Sequence, residues 1–168
     1  MTENKVGFQI CIVVHNVKEA NANWAKILEM PEEKIETIFP DGILHYTHGQ
    51  PVNYKGIQVA KYQLSNFVLE LLQPGEMDSP WKAHLDKYGQ SVFHFCVLVN
   101  DRKIFQQKLS EIGVGLPYHI GYHPNGSYSY VDALEQLGIE LSVNDSGDYS
   151  GLMQALLNGS ATPLDELK

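Results

Sequence analysis

The sequence predicts an α+β fold made of two tandem βαβββ modules. Two segments carry this prediction, because "FQICIVVHNVK" (Phe8–Lys18) and "FHFCVLVNDRK" (Phe93–Lys103) align residue by residue and each leads into a helical pattern. The two copies also close alike, with the strand-like segments "FVLELLQP" and "LGIELSVND". Self-similarity of this kind indicates a duplicated supersecondary unit.

Each copy is expected to run strand, helix, strand, strand, strand. The opening segments are apolar with strand-like composition, and the helices follow from apolar residues at helical spacing. One helical face carries Val17, Ala20, Trp24, Ile27 and Leu28 in the first copy, and Phe105, Leu109 and Ile112 in the second. The inner strands are expected at "KIETIFP" and "GIQVAKYQL", then at "PYHIGYH" and "SYSYVDAL".

The modules are expected to form one domain of 168 residues. Between them, Ser79 can cap a short linker helix that has Pro80 at its first position. A helix is expected at "GLMQALLN", followed by a polar end that frays. The predicted boundaries are residues 5–78 for the first module, 79–90 for the linker helix, 91–145 for the second module and 146–168 for a C-terminal extension.

Composition excludes several classes of function. The formal net charge is −8 and Arg102 is the single arginine, so neither nucleic acid nor an anionic membrane is an expected partner. No apolar run is long enough to span a bilayer and no signal-peptide pattern is visible, so a cytoplasmic location is expected. The two cysteines, Cys11 and Cys96, lie in apolar strand-like runs, which does not indicate a disulfide framework.

One polar residue interrupts each of four equivalent apolar strands: Gln9, Glu70, His94 and Glu140. Strand side chains alternate between faces, so these four would lie opposite the apolar neighbours and can converge if the two halves curve together. Buried carboxylates need positive compensation, and no lysine or arginine occupies a matching strand position. A divalent cation is the natural compensator. The alternative is four unrelated strand residues, with the imidazole bonded to a backbone carbonyl.

In this arrangement the chain resembles the vicinal oxygen chelate superfamily, also called the glyoxalase/bleomycin resistance/dioxygenase fold, over about Val6–Asp145. The resemblance implies a cupped mixed sheet around one metal ion held by Gln9, Glu70, His94 and Glu140. The metal could be zinc, cobalt, nickel or manganese, and the resemblance does not decide among them. Within the superfamily the chain is most similar to methylmalonyl-CoA epimerase, on "LELLQPGEMDSPWKAHLDKYG", "SVFHFCVLV" and "YVDALEQLGIEL".

The resemblance implies an isomerase, epimerase or lyase that abstracts a proton next to a metal-chelated carbonyl, with Glu140 as first base and Glu70 as its counterpart. Two departures separate the chain from epimerases, which usually have His at the Gln9 position and an acid in the strand that here reads "GIQVAKYQL". A glyoxalase I-like lactoylglutathione lyase has a similar ligand set, but its glutathione-anchoring arginines are absent. A non-catalytic binding protein of the bleomycin-resistance type is the other alternative. Ring-cleaving dioxygenases need two histidine ligands and are rejected.

Further residues are weaker candidates for the substrate pocket. His119 and His123 share one strand face, although exposed strand histidines are the simpler interpretation. Cys11 and Cys96 follow the ligand positions by two residues and share their face, either lining the pocket or filling the core. The segment "HYTHGQP" around His45 and His48 is interpreted as a loop without a role. The expected partner is a small molecule with two nearby oxygens, an acyl-CoA among the candidates, and the family favours a homodimer.

Overall fold

The computed structural model describes residues 6–38 and 42–167. The helices are α1 (Val17–Leu28), α2 (Pro80–Tyr88), α3 (Arg102–Glu111), α4 (Leu134–Leu137) and α5 (Ser150–Leu157), with a 3-10 helix at Asp165–Leu167. The strands are β1 (Val6–Val13), β2 (Glu36–Thr37), β3 (Leu44–Thr47), β4 (Gln50–Val52), β5 (Gln58–Gln63), β6 (Val68–Gln73), β7 (Ser91–Leu98), β8 (His119–His123), β9 (Gly126–Val131) and β10 (Glu140–Asp145). Within these described ranges, none of the helices combines the length and apolar character that crossing a membrane requires.

The chain divides into two compact units. The amino-terminal unit comprises Phe8–Pro40 and Tyr54–His94, and the carboxy-terminal unit comprises Met1–Gly7, Asp41–Asn53 and Phe95–Lys168. Helices pack on sheet in each unit, which confirms the predicted α+β class. The units do not coincide with the two sequence copies, because residues 41–53 belong with the second copy. The module boundaries drawn from the repeat therefore stay a prediction.

The amino-terminal unit packs α1 on a mixed sheet in the order β2-β5-β6-β1. β1 and β6 are parallel, whereas β5 is antiparallel to both β6 and β2. Asn16 caps α1 by accepting hydrogen bonds from the backbone N–H groups of Lys18 and Glu19. The core between helix and sheet includes the buried side chains of Val14, Val17, Ala25, Ala60, Tyr62, Leu69 and Leu71.

The carboxy-terminal unit contains an antiparallel sheet in the order β10-β9-β8-β3-β4. Its β3–β4 hairpin comes from the segment "HYTHGQP", so the interpretation of that segment as a loop is wrong. β3 pairs with β8, in the register His45 with Gly121 and Thr47 with His119. The strands predicted at "PYHIGYH" and "SYSYVDAL" are confirmed as β8 and β9.

One face of this sheet is covered by α3 and α5. Two clusters fill the space, one around Leu109 and Val143 and the other around Ile120 and Leu156. An ion pair lies among these apolar residues, with the Arg102 Nη1 atom 3.6 Å from the Asp145 Oδ1 atom and both side chains almost fully buried. The single arginine of the chain is therefore an internal structural residue.

The C-terminal extension is tied to β8 through Tyr122, which is fully buried. The Tyr122 hydroxyl donates to the Glu166 Oε1 atom at 2.8 Å and accepts from the Leu164 N–H at 3.0 Å. The predicted helix at "GLMQALLN" is confirmed as α5. The prediction that the polar end frays is wrong for the residues up to Leu167, which is buried. The hydrogen bonds of the Tyr122 hydroxyl with Glu166 and Leu164 explain why this end is ordered, because leaving these polar groups unpaired in an apolar environment would be costly.

Replacing Tyr122 by phenylalanine is expected to lower the free energy of unfolding by about 1–3 kcal/mol, since the Glu166 carboxylate and the Leu164 N–H lose a buried partner. Amide exchange around residues 164–167 should accelerate, as measured by hydrogen–deuterium exchange. Tyr88→Phe, which removes a hydroxyl from an exposed ring, is the matched control. Unchanged exchange at the extension in Tyr122→Phe would show that the hydroxyl does not hold it.

Candidate functional site

Three potential metal ligands meet in the amino-terminal unit. One ligand atom each from Cys11, Glu70 and His94 lies within 4.8 Å of the other two. All three residues are buried, with relative exposures of 0%, 6% and 2%. Among the described residues this is the group of His, Cys, Asp and Glu side chains that fits a metal ion. A thiol, a carboxylate and an imidazole thus converge in an apolar interior.

The register of the sheet produces this convergence. β1 and β6 run parallel, and Cys11 is the Cα partner of Glu70. Alternation then directs both side chains to the face opposite Leu69 and Leu71, which belong to the core beneath α1. His94 follows from β7, where its ring packs 4.9 Å from that of Phe93.

Burial keeps the His94 imidazole neutral. Desolvation lowers the pKa of His94 to about 3, and the nearby His84 acts in the same direction. A neutral imidazole has a nitrogen lone pair for a metal, whereas an imidazolium has none.

Lys61 corrects one expectation about charge. No cation was expected at a matching strand position, but Lys61 on β5 is the Cα partner of Glu70. Its Nζ atom lies 3.1 Å from the Glu70 Oε2 atom, with the lysine side chain 51% exposed. The carboxylate therefore has a protein counter-ion. Because the Lys61 side chain is half exposed to solvent, its ion pair with Glu70 is compatible with a metal bound to the same carboxylate.

The donor set fits a divalent transition metal. Zinc accepts Cys sulfur at about 2.3 Å, His nitrogen at about 2.0–2.1 Å and carboxylate oxygen at about 2.0–2.2 Å. Ligand atoms around a tetrahedral zinc are then roughly 3.3–3.6 Å apart. A limit of 4.8 Å between the atoms present is close enough for small side-chain movements to complete such a site.

Two of the four predicted ligands belong to this group. Glu70 and His94 are in the cluster with Cys11. Gln9 is half-buried on the same strand, two residues before Cys11, and its Cα partner is Val68. Glu140 belongs to the carboxy-terminal unit. The roles of Gln9 and Glu140 at a metal stay predictions, and so does a pocket role for Cys11, which lies beside Glu70 and His94.

Glu140 has an unusual environment within the carboxy-terminal unit. It begins β10 and is only 7% exposed. Burial raises the pKa of Glu140 to about 8. The Tyr118 hydroxyl donates a hydrogen bond to its Oε1 atom. A carboxyl group with a pKa near neutrality can both accept and return a proton at physiological pH.

His119 lies in an aromatic cluster of the same unit. Its ring stacks on Tyr130 with centroids 4.8 Å apart, its Nδ1 atom lies 2.9 Å from the Thr47 hydroxyl, and its Nε2 atom lies 3.2 Å from the Tyr128 hydroxyl. His119 is completely buried, so the interpretation as an exposed strand histidine is wrong. Its place in a substrate pocket stays a prediction.

The aromatic cluster also contains His45, for which no role was predicted. His45 is buried, and its ring lies 6.1 Å from that of His119 at an interplanar angle of 20°. Burial lowers the pKa of His45 to about 4, so the ring is neutral. His123, at the end of β8, is half-buried. Cys96 is buried and, like Cys11, forms no disulfide. Pocket roles for His123 and Cys96 stay predictions.

The fold and the site together define a class of protein: an α+β chain whose sheet carries buried acidic residues and a buried histidine. The comparison with known families identifies the same class. Residues 8–131 match the model of the Glyoxalase/Bleomycin resistance protein/Dioxygenase superfamily. Because the match covers most of the chain, the protein belongs to this superfamily.

Individual relatives agree at the level of fold. The methylmalonyl-CoA epimerase of Mycobacterium tuberculosis is 16% identical, with a TM-score of 0.59 over 90% of this chain and 95% of that one. A hypothetical protein from Bacillus halodurans C-125 is also 16% identical, with a TM-score of 0.55 over 84% and 94%. The uncharacterized protein YqjC of Bacillus subtilis (strain 168) is 29% identical over 107 residues, which are 64% of this chain and 66% of that protein. The match thus spans just under two thirds of that relative's length.

Proposed function

We propose that the protein is a metal-dependent isomerase, epimerase or lyase that removes a proton next to a metal-chelated carbonyl, with methylmalonyl-CoA epimerase-like chemistry as its first form. The buried group of Cys11, Glu70 and His94 is the observation that carries this proposal. The superfamily includes enzymes of this kind, epimerases among the similar structures. A similar fold has been solved as methylmalonyl-CoA epimerase in complex with methylmalonyl-CoA and ammonium, at 15% identity and a TM-score of 0.55 over 84% of this chain and 94% of that one.

In the proposed mechanism Glu70 and His94 would hold the cation, which would supply a positive charge that polarises a substrate carbonyl and makes the proton on the neighbouring carbon easier to remove. Glu140 is the proposed base, from its equivalence to Glu70 in the sequence repeat and from its raised pKa. Tyr118 donates to Oε1 of this carboxyl group, so we assign the proton transfer to Oε2.

Two observations rank the alternative functions below the proposed one. A glyoxalase I-like activity ranks second, because Arg102 is buried beside Asp145 and the chain has no other arginine to anchor a glutathione carboxylate. A binding protein of the bleomycin-resistance type would need no proton-transfer group. The raised pKa of Glu140 favours the enzyme over it.

The choice of metal among zinc, cobalt, nickel and manganese, an acyl-CoA as substrate, a homodimeric assembly and a cytoplasmic location belong to the same proposal. The acyl-CoA has support from the ligand bound to the similar epimerase structure. The net charge of −8 supports the absence of nucleic-acid partners.

Deuterium wash-in tests the proposal. Metal-loaded protein in deuterated water should incorporate deuterium at the α-carbon of methylmalonyl-CoA, monitored by NMR. Glu140→Gln should slow this exchange about 10²–10⁴-fold, because the amide keeps an oxygen donor but removes the base. Glu135→Gln, at an exposed acid on α4, is the matched control and should exchange like wild type. Metal-loaded wild type without exchange would reject the epimerase-like activity, and an equally fast Glu140→Gln would reject Glu140 as base.

A further inference from the structure

We propose that Cys11 is itself a metal ligand, so that a thiolate, a carboxylate and an imidazole form the protein part of the site. This inference rests on the proposed function, since it names a further ligand for the same cation. It departs from the ligand set that the resemblance implies, in which Gln9 occupies the corresponding place on β1. The parallel register supports Cys11, which is paired directly with Glu70.

The geometry of Cys11 supports a ligand role. Its Sγ atom belongs to the group in which all ligand atoms are within 4.8 Å of each other, and the residue has an exposed fraction of 0%. A buried cysteine more often fills space in a core. That interpretation does not explain why the thiol lies beside a buried carboxylate and a buried imidazole, the two other side chains that transition metals commonly accept.

Coordination is chemically balanced without any other reactant. The Cys11 Sγ–H bond breaks, its proton goes to solvent, and the sulfur lone pair is donated to the cation. Glu70 can keep its contact with Lys61 through Oε2 while it offers its other carboxylate oxygen to the metal. The three ligands then carry two negative charges, which balance a divalent ion.

A sulfur ligand predicts which metals bind. Thiolate and imidazole favour zinc and its spectroscopic substitute cobalt, whereas magnesium and manganese prefer oxygen ligands. Wild type should therefore bind zinc and cobalt much more tightly than magnesium or manganese. Loss of Cys11 should weaken zinc binding by more than the roughly 10- to 100-fold that loss of a ligand's hydrogen-bonding partner costs.

Cobalt(II) titration of the full chain gives a readout that is independent of activity. A cobalt–thiolate bond produces an intense charge-transfer band in the near ultraviolet, whereas nitrogen and oxygen ligands produce only weak visible bands. Since the chain has two cysteines, Cys96→Ser leaves Cys11 as the sole thiol. We expect Cys96→Ser to keep the charge-transfer band and Cys11→Ser to lose it while retaining weak visible bands.

The outcomes separate this inference from the proposed function. Visible cobalt bands without a charge-transfer band in both wild type and Cys96→Ser would overturn Cys11 as a ligand and leave the metal-dependent function standing. A protein that binds neither cobalt nor zinc would overturn both. The Cys96→Ser result remains decisive even if Cys11→Ser does not fold, because its band can arise only from Cys11.

Discussion

Replacing Arg102 by methionine is expected to lower the free energy of unfolding by about 3–5 kcal/mol, because the substitution leaves a buried carboxylate without its cation. The Arg102 guanidinium donates to the hydroxyls of Ser127 and Ser129 and lies 3.6 Å from the Asp145 Oδ1 atom. Asp145 also accepts from the Tyr149 hydroxyl at 2.9 Å. These residues connect α3, β9, β10 and the start of the C-terminal extension, so the loss should be seen as a lower midpoint in urea denaturation.

Two further variants isolate the cause of this loss. Lys108→Met makes the same change in charge at an exposed position of α3 and should cost less than about 1 kcal/mol. Adding Asp145→Asn to Arg102→Met removes the uncompensated charge and should recover part of the stability. A double variant no more stable than Arg102→Met alone would show that lost packing of the long side chain, not the buried charge, is responsible.

The fold class was predictable because it depends on local patterns. Alternation of apolar and polar residues marks β1, β6, β7 and β10, and helical spacing marks α1 and α3. Recognition of the repeat then indicated the superfamily. None of these signals depends on which strand pairs with which.

The position of Cys11 beside Glu70 does depend on strand pairing, and the sequence could not show it. The Gln9 and Cys11 side chains point to the same face of β1, since they are two residues apart. Only the register with β6, which places Cys11 opposite Glu70, brings the thiol into the cluster. Register is determined by packing between segments that are about sixty residues apart in the chain, and alternation is identical for either candidate. For the same reason the ion pair of Lys61 with Glu70 could not be predicted, because it follows from the register of β5 with β6.

The β3–β4 hairpin escaped prediction for a different reason. Its two-residue turn, His48 and Gly49, has positive φ at both positions, 51° and 76°. Turns of this kind are usually marked by Asn-Gly or Asp-Gly, and His-Gly is a weaker signal. Pro51 is a further signal against a strand, although proline is tolerated at the edge of a sheet, where β4 lies within its unit. His45 was therefore assigned to a loop rather than to the buried aromatic cluster.

Glu140→Gln is expected to make stability less dependent on pH, in metal-free protein kept with a chelator. Burial raises the pKa of Glu140 from 4.5 to about 8. Between these values the unfolded chain releases a proton that the folded chain retains, so wild-type stability falls as pH rises and levels off above about 8. The full shift corresponds to at most about 5 kcal/mol. Glutamine stays neutral throughout and carries no such penalty.

Urea denaturation at pH 5 and pH 9 measures this difference directly. Relative to wild type, Glu140→Gln should gain a few kcal/mol at the higher pH and little at the lower. Glu135→Gln, at an exposed acid, should follow wild type at both. The Tyr118 hydroxyl donates to the Glu140 carboxyl, and this bond favours the ionised form. Tyr118→Phe should therefore extend the fall in stability to higher pH, while its onset near the pKa of the unfolded chain stays the same. Parallel pH profiles for wild type and Glu140→Gln would mean that Glu140 is ionised in the fold, and would remove the argument that its pKa suits it to accept a proton near neutrality.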